Sequence, residues 1–205
     1  MFNIRQGAFE TNSSSMHTII INNPKDGYKQ HDPITGWIRR APLGGKLIEY
    51  EDLDFQFGQG YMTHWADKLG YLFAYHMQYD TYDEEAGKIL IERYLNMVQK
   101  HYPEINEIRI PHYVEKDDDG DEHWEWNVSI NHQSQDLIEK FFEDNPEVDE
   151  EEFVFSDKYA MYICWDSVGY STIIETCEED NREVTGLEME WGITKVKDGK
   201  AEDEY

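Results

Sequence analysis

The stretch from Arg5 to His17 (RQGAFETNSSSMH) is the densest gathering of chemically capable side chains in the chain. Asn12, Ser13, Ser14 and Ser15 precede a β-branched run, and His17 lies two residues beyond the last serine. Three readings of such a segment stay open. Short polar residues hydrogen-bond their own backbone and build a compact turn. The same hydroxyls and backbone N–H groups cradle a phosphate or carboxylate. An imidazole also serves as general base to a serine when folding brings the two together. Ser15 and His17 would share one side of a strand, which permits that geometry without orienting the ring.

A second polar segment, Asn131-His132-Gln133-Ser134, precedes a helical pattern. The Phe9–His17 stretch resembles the N-terminal signature of a family of uncharacterised proteins from bacteriophages and some bacteria, which open with Arg…Phe-Glu-Thr-Asn-Ser-Ser-Ser-x-His. The His-Gln-Ser at 132–134 is similar to a second segment of that family. The resemblance covers about a tenth of the chain and brings no activity with it. It implies a phage or mobile-element origin. It also implies that Asn12, Ser13, Ser14, Ser15, His17, His132, Gln133 and Ser134 form one polar cluster. That cluster is either a buried network fixing the N-terminal segment to the sheet, or a site for Ser-His chemistry or phosphate capture.

Other constellations are weaker. Glu115 to Gly120 looks like a calcium loop, but its twelfth position is Trp126 where a glutamate is required, and strands flank it. The eight histidines show no HExxH and no Cys-His zinc spacing. Gly58-x-Gly60 ahead of a helix lacks a following phosphate-loop lysine. Glu188-x-Glu190 resembles the paired glutamates of ADP-ribosyltransferases, but Arg5 and the serines lie too close together to occupy separate core strands. No metal and no cofactor are expected.

Charge narrows the class of partner. Residues 1–50 carry 6 Lys/Arg and 4 Asp/Glu, a net of +2, and residues 51–205 carry 12 and 40, a net of −28. A field of that sign repels phosphate, so no direct binding of nucleic acid or of an anionic membrane is expected. It attracts basic surfaces, including grooves that hold nucleic acid. The leading expectation is an inhibitory protein that occupies a basic, nucleic-acid-handling host or defence protein, with carboxylates standing in for phosphates. Asp117, Asp118, Asp119, Asp121, Glu143, Asp144, Glu150, Glu151, Glu178 and Glu179 are the candidate acidic interaction surface. The alternatives are an enzyme or small-ligand protein working at the Ser/His cluster, and an accessory or assembly protein whose acidity serves solubility.

The elements that must position these residues read as α+β, an antiparallel sheet with helices packed on one face. Six Trp, 14 Tyr and 9 Phe supply a core despite the charge. Met16–Ile21 reads as a strand, 22–46 as loop with room for short strands, and Leu47–Tyr50 as a strand. Helices are expected over 61–79, with Thr63 as a candidate N-cap, and over 83–101. Alternation predicts one hairpin, Ile108–Val114 against Trp124–Ile130, turning at Asp119-Gly120. Ser134 is expected to cap a helix over 135–143, with a further helical turn near 147–153. Tyr159–Trp165, Ser171–Glu178 and Glu183–Val196 read as a three-strand meander. On that reading Cys164 and Cys177 sit on adjacent strands, offset by roughly five residues or about 16 Å, and stay as reduced thiols. Residues 1–197 form a single domain and 198–205 a mobile acidic tail. With no leader-like segment and no apolar run approaching 18 residues, a soluble cytoplasmic protein is expected.

Overall fold

A computed structural model of the chain describes residues 15–28, 30–42, 44–56, 60–77, 84–116, 122–130, 134, 136–165, 170–189, 192–197 and 199–202. The fold is α+β, as the pattern predicts, and is organised around strand β1 (Ser15–Pro24). Thr18, Ile19 and Ile20 are each 0% exposed. A strand buried on both faces has no need of polar alternation, which is why this segment reads as a continuous apolar run. β1 pairs antiparallel with β10 (Tyr159–Trp165) on one side and β11 (Arg182–Met189) on the other. The sheet is completed by β5 (Gly60–Met62) beyond β10, and by β12 (Gly192–Lys197) and β13 (Lys200–Glu202) beyond β11. All its pairings are antiparallel.

Side chains alternate across this sheet and feed two cores. Ile19, Met161 and Ile163 join the larger, with α1 (Trp65–Met77), α2 (Glu84–His101), α3 (Leu137–Asp144) and α4 (Glu150–Phe155). Ile20, Ala160 and Leu187 join the smaller, which is closed by Ile173, Ile174 and Cys177. Those three belong to α5 (Tyr170–Glu179), so the segment expected as the middle strand of a meander is a helix. Its β-branched residues misled the reading. Ile173, Ile174 and Cys177 sit at helical spacing, and burying that stripe on the sheet outweighs local propensity. The helix ends where Asn181 takes φ 58, a left-handed cap that asparagine tolerates. The second face of the sheet is therefore covered as well. Both cysteines are free and buried, Cys164 on β10 and Cys177 on α5.

The expected long hairpin is cut in two. β7 (His112–Lys116) and β8 (Glu122–Trp126) pair as foreseen, with Val114 opposite Trp124. Ile108 instead lies in β6 (Ile105–Arg109), parallel to β3 (Lys46–Tyr50), which also pairs with β2 (Gly36–Arg40). Val128 and Ile130 lie in β9 (Val128–Ile130), parallel to β4 (Leu53–Phe55). The break falls at Pro111, which has no N–H for a ladder; its carbonyl takes the Asn127 N–H at 2.9 Å.

Helix starts differ from expectation too. α1 begins at Trp65 because the Nδ1 of His64, not Thr63, accepts the Ala66 N–H at 3.1 Å. Thr63 Oγ1 accepts the His31 N–H instead. Asp136, not Ser134, occupies the cap position of α3. Lys200–Glu202 continues the sheet as β13, which shortens the expected tail. Asp198-Gly199 is a hairpin signal of the same kind as Asp119-Gly120, and Gly199 takes φ 71. Asp67, wholly buried at the start of α1, binds the loop before β2. Its Oδ1 accepts from the Thr35 N–H at 2.7 Å and the Thr35 hydroxyl at 2.8 Å, and both its oxygens accept from the Ile34 N–H.

Candidate functional site

Of the expected polar cluster, Asn12, Ser13, Ser14, His132 and Gln133 lie outside the described residues, and Ser15 is described by its backbone alone. Ser134 is 4% exposed. His17 is 2% exposed, on the face of β1 that looks into the larger core. The Tyr71 hydroxyl meets its Nδ1 at 2.7 Å, and the ring also bonds the Phe55 backbone. A neutral imidazole satisfies both: it accepts from Tyr71 and donates to the Phe55 carbonyl. Burial drives the His17 pKa down to about 4, and the Phe55 carbonyl only partly opposes that shift. Phe55 stands in register with Ile130, two residues before His132. The His17 contacts form a buried clamp joining β1, β4 and α1. With both nitrogens engaged, the ring has no free position for abstracting a serine proton.

The acidic candidates divide between the two faces of the large sheet. Glu143 and Asp144 are exposed on α3, and Glu150 and Glu151 lie on α4, on the larger-core side. Glu178 and Glu179 are exposed on α5, which packs on the opposite face. Asp117, Asp118, Asp119 and Asp121 fall outside the described residues. Glu150 and Glu151 are engaged internally. Glu150 bonds His76 Nε2 at 2.9 Å and pairs with Arg93. Burial raises its pKa, but these two partners outweigh that and leave the carboxyl below its ordinary range. Glu151 pairs with Lys100, and with His101 at 3.0 Å, and is lowered by them in that order.

These pairs pin α4 over α1 and α2 and shape a groove beside it. Aromatic packing sets the geometry: Trp65 stacks on Tyr102 at 4.7 Å, and His101 on Phe155 at 4.0 Å. Asp149 caps α4 by accepting the Glu152 N–H at 2.7 Å. The groove, about 810 Å³, is lined by carboxylates of Glu147, Asp149, Glu151 and Glu152, with Val148, Phe155 and Tyr159 as apolar surface. Lys158 reaches Glu152 only at 3.8 Å. Acid walls on an aromatic floor suit a lysine or arginine side chain, whose aliphatic stem packs while its head meets carboxylate.

In this region the sequence pointed to Glu143, Asp144, Glu150 and Glu151, but not to Glu147, Glu152, Phe155 or Tyr159 as lining residues. The available signal was Glu152 and Phe155 at helical spacing; Tyr159 lies on β10 and is brought there by the fold. Three buried ionisable groups also went unread. Lys68 Nζ donates to the Ser156 and Tyr159 carbonyls at 2.8 and 3.0 Å, and burial brings its pKa down to about 7. Arg182 is 0% exposed at the start of β11. Glu188, opposite Ile19, is 0% exposed with neither oxygen hydrogen-bonded; burial first, and then Asp144, push it up to about 7 against the pull of Lys140. Among the described residues no His, Cys, Asp and Glu trio is placed to hold a metal ion. No described helix is long and apolar enough to cross a membrane. Comparison with protein-family models, with curated proteins and with solved structures finds no match to this chain.

Proposed function

We propose that this protein is an acidic binder of a basic, nucleic-acid-handling protein, and that it inhibits that partner by holding the surface that nucleic acid would occupy. The carrying observation is the carboxylate-walled groove beside α4 in a chain of net charge −26. Glu147, Asp149 and Glu152 are the exposed carboxylates of that groove; Glu143 lines a separate cavity with Tyr75, His76 and Glu150. Glu178 and Glu179 lie across the sheet and take no part in the same contact. A basic host or defence protein is the class of partner that such a surface steers and holds.

The test is capture of partners from a lysate on tagged protein, at low and then high salt, with double-stranded DNA as competitor. A nucleic-acid-handling protein that is retained at low salt, released by DNA, and lost by Glu147→Lys/Glu152→Lys supports the reading. A complex indifferent to salt, or unaffected by that double variant, overturns it.

A further inference from the structure

Arg182 is the largest fully buried side chain described. It stands at the start of β11, in register with Pro24 of β1. Its Nη1 donates to Asn22 Oδ1 at 2.9 Å and to the Asp157 carbonyl at 2.8 Å. The guanidinium carbon lies 3.9 Å from the centroid of the Tyr28 ring. Three neighbours therefore hold the group in one plane and one orientation. The remaining edge is different: Nε and Nη2 are both buried, and neither has a hydrogen-bond partner. Among the described residues no carboxylate reaches Arg182 within ion-pair distance.

The unpartnered pair matters because of guanidinium geometry. Nε–H and Nη2–H lie on the same side of the planar group and point the same way. They form the two-pronged fork that meets both oxygens of a carboxylate or phosphate. An uncompensated buried cation costs several kcal/mol, and proteins satisfy such a charge with a counter-ion. Asp157 and Asp180 bear on the same buried groups as Arg182, but among the described residues neither carboxylate stands within ion-pair distance of it. Lys68 donates to two backbone carbonyls, and its charge is favoured by Asp157 more than it is disfavoured by Arg182. What remains without a partner is the fork itself, a fixed pair of buried N–H donors.

We propose that the Nε/Nη2 edge of Arg182 is a binding site for a small oxyanion, the carboxylate or phosphate group of a ligand. Asn22 and the Asp157 carbonyl preorganise the fork, and Tyr28 covers it. Tyr28 is partly exposed and Asn23–Gly27 is exposed beside it, so the ligand enters by displacing that segment. This site borders the α4 groove through Asp157, which lies between groove-lining Ser156 and Lys158, and does not depend on what the groove binds.

The test is thermal unfolding of the full chain titrated with sodium phosphate and, separately, with sodium acetate, ionic strength being held with sodium chloride. Phosphorus NMR line-broadening of the phosphate adds a readout independent of folding. A saturable Tm rise of about 5 °C at about a hundredfold excess over the dissociation constant is expected with at least one anion. A response to phosphate alone identifies a phosphate group as the ligand chemistry, and a response to acetate alone a carboxylate. Arg182→Lys, which keeps the charge but lacks the fork, should lose the saturable rise. Arg182→Met removes the charge as well and should lose it too. Should either variant fail to fold, the line-broadening of the unmodified chain and its competition by acetate still decide the matter. No saturable rise and no broadening with either anion overturns the proposal. An equal rise in Arg182→Lys also overturns it, since that would be a general salt effect.

Discussion

His17 shows how one buried polar side chain can couple folding to pH. Its imidazole is neutral in the fold, held down to about 4 against 6.5 when exposed. A depressed pKa gives stability that is present above 6.5 and lost as pH falls through the window to about 4. That loss is on the order of 3 kcal/mol. His17→Ala should cost about 2–4 kcal/mol at neutral pH, because it leaves the Tyr71 hydroxyl and Phe55 carbonyl buried without a partner. Urea unfolding at pH 7 and pH 5 measures both effects, and the acid-side slope should flatten in the variant. Glu188 acts in the opposite direction. Its carboxyl is raised from 4.5 to about 7, so its contribution is complete below 4.5 and lost as pH rises through 7. Glu188→Gln should therefore gain about 1–3 kcal/mol at pH 8 and change little at pH 4.5. An unchanged pH 8 stability would mean that Glu188 is not desolvated.

At the scale of elements, close approach and ion pairing decide which surfaces meet. A Cβ on Gly87 of α2 would lie 2.4 Å from the Trp126 indole of β8. Helix propensity alone favours Gly87→Ala by about 1 kcal/mol. The collision reverses that sign, and the variant should lose about 1–3 kcal/mol in denaturant unfolding. An alanine that stabilises would show that the indole gives way at no cost. Helix α4 has only six residues and depends on what it touches. Glu150→Gln/Glu151→Gln removes its pairs to α1 and α2. These groups are partly exposed and screened, so together they contribute about 1 kcal/mol, and Tm should fall by about 2–4 °C. Hydrogen exchange should show the loss concentrated in 150–155. The sequence made α2 and α3 readable because each carries one strong periodicity, and β1 because it is a continuous β-branched run. It misrepresented α5, whose Thr172, Ile173, Ile174 and Thr176 favour a strand by type, although their burial follows a helix.

Across the molecule, several of the described surface cations are paired internally. Lys25, Arg39, Lys46, Lys88, Arg109 and Lys158 each stand beside a glutamate. The surplus carboxylates are left to solvent or to a partner. Two salt effects of opposite sign should follow. Raising sodium chloride should increase the Tm of the free protein by screening self-repulsion. The same change should weaken the complex with a basic partner, mainly through its association rate. Stopped-flow association over a salt series checks the second effect; a rate that is flat with salt would remove electrostatic steering from the account.

The sequence by itself determined the α+β class, the strand beginning near Met16, the long helices, the hairpin around 112–126 without its register, and the sign of the surface. Each of these follows from periodicity within one element, or from composition. Only the tertiary structure decided that α5 is a helix over the second face, and that the 108–130 stretch divides among three sheets. It also neutralised Glu150 and Glu151, clamped His17, and left one edge of Arg182 open. The reason is distance along the chain. His17 meets Tyr71 54 residues away, and Arg182 meets Asn22 160 residues away. Local pattern reports that a face will be buried or that a charge exists; the partner that covers the face or balances the charge comes from elsewhere in the chain.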